Sequence, residues 1–268
     1  MLLSDPITTV PLIGKSYASK LKKLGIETVE DLLHHYPFRY DDFSKRKKIN
    51  ELIAGETVTV TTTVLEIKNI YTRWGKRLTR ATVADETGEL QVVWFNQTYI
   101  TNTIKKNSLV NLSGRLSEFN KKPAFVSPEY EVTSQSVKVS KCQGIHTGRL
   151  VPIYPETRGI TSKWLRSRIN VAISKFFHTT KYERIEFLPD EIRNRQDLVD
   201  LKSALSQIHF PANHSEIDEA RKRLAFDEFF LMQLQALRRR QEWQKKPLAH
   251  KFRISASGDS SNLMNEEL

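Results

Sequence analysis

The feature that most narrows the fold open to this chain is a series of short β-branched and aromatic runs between Gly55 and Val132. Gly55 to Leu65 alternates Thr and Val, the pattern of a half-buried strand. Thr79 to Gly88 and Glu89 to Asn96 follow as further strands, and the Asp85 to Gly88 turn between them reads as a hairpin connection. Leu109 to Leu116 and Pro123 to Val132 complete the set. Five short strands in about 75 residues, with aromatic and basic side chains among them, predict a small closed barrel of the OB type. That fold commonly carries single-stranded nucleic acid on one face.

Charge points the same way. A net charge of +11 and a pI near 9.6 suit a polyanionic partner, nucleic acid first. A soluble protein that is merely basic is the plain alternative. No long basic amphipathic helix favours an anionic membrane surface, and no run approaches the ~18 apolar residues of a membrane span. The start, Met1 to Pro6, lacks the basic and apolar regions of a signal peptide. A single cysteine, Cys142, excludes an internal disulfide and a cysteine-cluster metal site, and the histidines show no zinc-type spacing. A cytoplasmic protein without a structural metal is the expectation.

Before the strands, residues 6 to 40 read as a compact helical unit. Leu12, Ile13, Tyr17, Leu21 and Leu24 recur at helical spacing, Gly25 stops the helix, and Thr28 caps a second one bearing Val29, Leu32 and Leu33. Such a hairpin either offers turn N–H groups to a nucleic-acid phosphate or simply buttresses the barrel. Gly14-Lys15-Ser16 matches the tail of a P-loop, GxxxxGK[ST]. Thr9 stands where the first glycine belongs, Pro11 interrupts the stretch, and no buried strand precedes it, so it is not a nucleotide site.

Candidate binding residues cluster in and around the barrel. Phe38 to Asp41 and Lys45 to Lys48 form a basic approach to it. Arg73, Lys76, Arg77 and Arg80 surround Trp74 in the loop joining the first two strands, part of the ligand rim in OB folds. Cations there can neutralise phosphates and the indole can stack on a base. Arg115 adds a further cation. Phe95 and Tyr99, four residues apart, could share one side of a helical turn, either filling the barrel mouth or facing outward beside the polar Asn96 and Gln97.

Beyond the barrel, Thr133 to Lys141 is a polar linker, and His146 to Pro155 an extended crossing segment. A helix capped by Thr161 or Ser162 carries Leu165, Ile169, Ala172, Ile173 and Phe176 on its apolar face, with Arg166 and Arg168 on its polar side. Leu198, Leu201, Ala204, Leu205 and Ile208 build a shorter helix, and Ile217 to Lys246 a long one. The expected class is therefore α+β, with an OB-type barrel flanked by an N-terminal helical hairpin and a C-terminal helical region. The divisions fall at 1–50 (helical), 51–135 (barrel), 136–215 (linker and helical connector), 216–252 (long helix) and 253–268 (polar tail).

The order of these segments resembles the N-terminal region of the RecG family, bacterial ATP-dependent DNA helicases that remodel stalled forks and branched DNA. The matching residues are Gly25 to Leu33, Tyr36 to Tyr40, Trp94 to Gln97, Leu150 to Pro155, Ile208 to Pro211 and Ala220 to Glu228. The resemblance implies that 51–135 is an OB-fold wedge domain that separates strands at a junction. It also implies that the aromatic pair of the Phe-Asn-Gln-x-Tyr motif, here Phe95 and Tyr99, stacks on bases at the branch point. It further implies roles in DNA repair and recombination, with replication forks and Holliday junctions as partners. Family members bind ATP and Mg in a motor that carries a P-loop and a DExH-type box. This chain has neither, since Asp227 to Phe230 lies mid-helix without a preceding apolar strand.

The expectation is a monomeric fragment or truncated product that has no catalytic residues, metal or cofactor of its own and is inactive alone as an ATPase. The alternative is a freestanding OB-fold protein that binds single-stranded nucleic acid or serves as an adaptor.

Overall fold

The computed structural model describes residues 2–71, 77–133, 144–179 and 186–245. The first turns of the chain are set by local signals. Helix α1 (Lys15–Leu21) runs into a single 3-10 turn ended by Gly25 at φ +76°, a left-handed conformation open to glycine without strain. Helix α2 (Val29–Leu33) begins with a reciprocal cap. Asp31 N–H donates to Thr28 Oγ1 at 3.1 Å, and Thr28 N–H donates to Asp31 Oδ2 at 2.9 Å. Both features follow the sequence reading.

Strand β1 (Arg39–Asp42) pairs far along the chain with β8 (Leu150–Ile153), antiparallel. The crossing segment was legible as extended, but β1 was not, because Arg-Tyr-Asp-Asp has no apolar alternation. Between them lies the main sheet, made of β2 (Thr57–Tyr71), β3 (Arg77–Ala84), β4 (Glu89–Phe95), β5 (Leu109–Phe119), β6 (Lys122–Val126) and β7 (Glu129–Thr133). The order is β2-β3-β4-β6-β5-β7, and β2 also pairs with β5, so the ladders run round a ring. The β4–β6 pairing is parallel and the others are antiparallel. This is the strand order of an OB-type domain, and with helices before and after it the class is α+β.

One strand serves two neighbours. Thr57–Thr63 of β2 pairs with β5, and Thr63–Tyr71 pairs with β3, with a register shift between Val64 and Glu66. Such a bulge bends a strand and increases its twist. The Asp85 turn forms as expected: Asp85 Oδ1 accepts from Thr87 N–H at 2.7 Å and Gly88 N–H at 3.1 Å. The expected strand from Pro123 to Val132 instead splits in two. Ser127 sits at φ +50° and Pro128 has no N–H to give a ladder, so β6 follows one end of β5 and β7 the other.

Helix α4 (Ser162–Thr179) begins at Thr161, whose Oγ1 accepts from Trp164 N–H at 3.3 Å. Its buried Leu165, Ile169 and Phe176 pack into one core with Val29, Leu32 and Leu33 of α2. The sheet has a separate core around Val60, Trp94 and Phe125. Arg166 departs from the expected polar side of α4. It is fully buried, and its Nη2 donates to Glu129 Oε1 on β7 at 2.9 Å. The helix lands on the sheet along that edge, so this cation is spent inside the fold.

Helices α5 (Asp190–Gln196), α6 (Leu201–His209) and α7 (His214–Gln244) follow. A buried relay ties α6 to the N-terminal helices: His209 Nε2 lies 2.9 Å from Leu33 O, and His209 Nδ1 lies 2.9 Å from Tyr154 Oη. The carbonyl requires Nε2–H as donor, so Nδ1 accepts from the phenol. Burial pulls the His209 pKa down to about 4, against an ordinary value of 6.5. Burial, with Arg166 and Lys163 nearby, pulls His146 to about 3. Below about pH 6.5 the unfolded chain therefore binds protons that the folded chain refuses. Stability is expected to fall between pH 6.5 and 4, by about 1.4 kcal/mol per pH unit for each histidine. Urea unfolding at pH 7, 6 and 5 measures this slope, and His209→Gln should reduce it by about half. A slope unchanged by His209→Gln would remove the assignment.

The chain divides into two compact units, 1–224 and 225–268. Within the second, α7 leaves Phe229, Leu231, Met232, Leu234, Leu237 and Trp243 exposed. Among the described residues, no helix is long and apolar enough to cross a membrane.

Candidate nucleic-acid interface

Strand β4 ends in two aromatic side chains that alternation sends to opposite sides. Trp94 is buried, its Nε1–H donating to Pro128 O at 3.0 Å. Phe95 is 43% exposed and meets the ring of Phe119 edge-on at 6.3 Å. Asn96 then turns the chain at φ +57°, and its N–H donates to Arg77 O at 2.9 Å. Tyr99 is 56% exposed and stands at the N-cap of a single helical turn, α3 (Ile100–Thr103). The structure thus brings Phe95 and Tyr99 into one short turn with both rings outward, resolving the choice between mouth-filling and surface placement.

Two polar residues that the sequence reading passed over hold this turn. Asn69 of β2 donates from Nδ2 to Thr98 O and Thr101 Oγ1, both at 3.2 Å. Buried Thr79 of β3 places its Oγ1 2.7 Å from Asn69 Oδ1 and 3.1 Å from Gln97 O. Asn69 follows four residues after Leu65 in a strand that runs beyond its expected end. Only the strand's full length reveals the contact. Tyr99 Oη–H donates to Gln97 Oε1 at 3.1 Å. Burial and the Glu129 carboxylate push the Tyr99 pKa up, so its ring stays an uncharged phenol at neutral pH.

The cations take different places. Arg77 is exposed and lies beside the turn, since its neighbour Leu78 is in register with Phe95. Arg80 is half-buried opposite Lys68 on β2. Arg115 is exposed on β5, with Nε–H donating to Gly55 O at 2.9 Å. Arg115 and Tyr99 line one groove of about 940 Å³, together with Arg39, Tyr130 and Lys163. Arg73, Trp74 and Lys76 lie outside the described residues. Lys121 and Lys122, not singled out in the sequence, are exposed at the β5–β6 hairpin beside Phe119. The turn that carries them, Asn120-Lys121, has both φ positive.

The basic approach at 45–48 is largely paired. Lys47 meets Glu56 at 2.6 Å, Lys45 meets Glu56 at 3.7 Å, and Lys48 meets Glu86 at 2.9 Å. At the N-terminal hairpin, Leu12 at φ +65° is exposed and Gly14 precedes α1. Tyr17 stacks on Trp164 at 4.7 Å, so the hairpin also packs on α4. Among the described residues, no group of three or more His, Cys, Asp or Glu is placed to hold a metal ion.

The site thus combines an OB-type strand order with two outward aromatic rings braced at a strand end and arginines close by. A protein-family model described as the RecG wedge domain matches residues 6–176. The chain belongs to the RecG wedge domain family. The ATP-dependent DNA helicase RecG of Synechocystis is 33% identical over 259 residues, covering 91% of this chain and 30% of the relative. That of Thermotoga maritima is 32% identical over 245 residues, with the same coverage of 91% and 30%. A solved structure of RecG bound to a three-way DNA junction superposes with a TM-score of 0.70 at 29% identity, covering 91% of this chain and 32% of that one. The chain thus spans about a third of the length of the curated relatives it matches.

Proposed function

We propose that this chain is the junction-binding wedge of a RecG-type ATP-dependent DNA helicase acting in repair and recombination. The outward pair Phe95 and Tyr99, pinned by Asn69 and Thr79, is the observation that carries this reading. At a fork or Holliday junction the two rings stack on the bases that lose their partners. Arg77, Arg80 and Arg115 neutralise the adjacent phosphates, joined by Arg73, Lys76 and the Trp74 ring. Braced rings suit strand separation because little conformational freedom remains to be lost when a base arrives.

Residues 51–135 form the wedge in this reading. Residues 1–50 and 136–215 support it, 216–252 lead toward a motor, and 253–268 are a tail. The sequence contains no GxxxxGK[ST] loop and no DExH box, so ATP and Mg act on residues outside it. The chain works as a cytoplasmic monomer and has no cofactor of its own.

Anisotropy titrations of a fork and of a linear duplex of equal length test this. Tighter binding to the fork is expected, with log K falling linearly against log salt as counterions leave the phosphates. Equal affinity for both would instead favour a general single-strand binder or an adaptor, for which the same exposed rings would serve without a junction.

A further inference from the structure

Tyr130 of β7 lies beside the aromatic turn. It meets Trp94, the residue before Phe95, edge-on at 6.1 Å and 81°. It also lines one groove with Gln97 and Tyr99 of the turn itself. What holds Tyr130 comes from another layer. Lys163 of α4 donates from Nζ to Tyr130 O at 2.7 Å, and the same ammonium lies 3.5 Å from the centre of the Tyr130 ring. Its charge is balanced by Glu129 at 3.6 Å, which the buried Arg166 fixes in turn.

We infer that Lys163 is a positioning residue for the base-stacking turn, acting through Tyr130 to hold Phe95 and Tyr99 at the angle a fork requires. The inference rests on the wedge reading above. It adds that a helix outside the OB sheet sets the geometry of the platform. One cation makes a carbonyl bond and a cation–π contact to the same residue, restraining both its backbone and its ring. With Tyr130 held, its ring restrains the strand end at Trp94 and the groove wall that Gln97 and Tyr99 share with it.

The test uses the whole chain, a forked duplex with 2-aminopurine at the branch, a linear duplex, and amide exchange over residues 95–104. Lys163→Met keeps the aliphatic stem and removes the charge. It should weaken fork binding about tenfold, leave duplex binding unchanged, diminish the 2-aminopurine signal and speed exchange of the turn amides. Lys163→Arg should restore all three. Tyr130→Leu, which removes the ring that Lys163 and Trp94 meet, should move them the same way, and it serves if Lys163→Met does not fold.

The slope of log K against log salt separates positioning from direct contact. A phosphate-binding Lys163 would lower that slope by about one on substitution, which would overturn the inference. So would wild-type exchange and fork affinity in Lys163→Met. If Phe95→Ala with Tyr99→Ala leaves fork binding intact, the wedge reading fails separately, and amide exchange still reports whether Lys163 holds the turn.

Discussion

Phe95→Ala combined with Tyr99→Ala is expected to abolish the preference for a fork over a linear duplex while leaving duplex affinity within about twofold of wild type. Each ring stacked on a base contributes about 1–3 kcal/mol, so two rings give about 2–6 kcal/mol, a loss of roughly 30-fold or more at the fork. Duplex binding depends on phosphate contacts that the substitutions do not touch. Tyr99→Phe is the control, because it keeps the stacking face and loses only the bond to Gln97. Parallel titrations on both DNAs at fixed salt give the numbers. A double variant that keeps its fork preference would sink the stacking mechanism, whatever its total affinity.

The second large effect concerns stability. Glu186 and Arg223 form a buried, two-pronged ion pair, with Arg223 fully buried and Glu186 nearly so. The arginine donates from Nη2 to Oε1 at 2.7 Å and from Nη1 to Oε2 at 3.0 Å. Glu186 also accepts from Leu188 N–H at 2.9 Å and Leu201 N–H at 3.0 Å, joining the connector, α6 and the start of α7. Glu186→Ala removes the carboxylate that both guanidinium nitrogens Nη1 and Nη2 meet, and unfolding free energy should fall by about 3–5 kcal/mol. Replacing both partners with apolar residues of similar size, Glu186→Leu with Arg223→Met, should recover much of that loss. Urea midpoints of the two variants decide it: a single substitution costing under about 1 kcal/mol would show that the pair is not the staple proposed.

Local signals carried most of the fold that could be read in advance. Gly25, Thr28 and the Asp85 turn each act within five residues, where backbone sterics and short hydrogen bonds decide the outcome. The failures share the opposite character. β1 forms only because a strand more than a hundred residues away pairs with it. Arg166 has the spacing of a solvent-facing residue, and it is buried because β7 places Glu129 against it. The candidate site divides the same way. Phe95 and Tyr99 stood out as an aromatic pair among polar neighbours, whereas Asn69 reaches the turn through a tertiary contact that no spacing announces.

The dual pairing of β2 has a mechanical consequence. Asn69, which grips the aromatic turn, belongs to the same continuous strand whose other half is laddered to β5 through Thr57–Thr63. A pull along that strand loads this ladder lengthwise. Its hydrogen bonds then bear the force side by side instead of parting one after another. The bulge after Val64 thereby lets one strand both brace the turn and anchor it to the far side of the sheet.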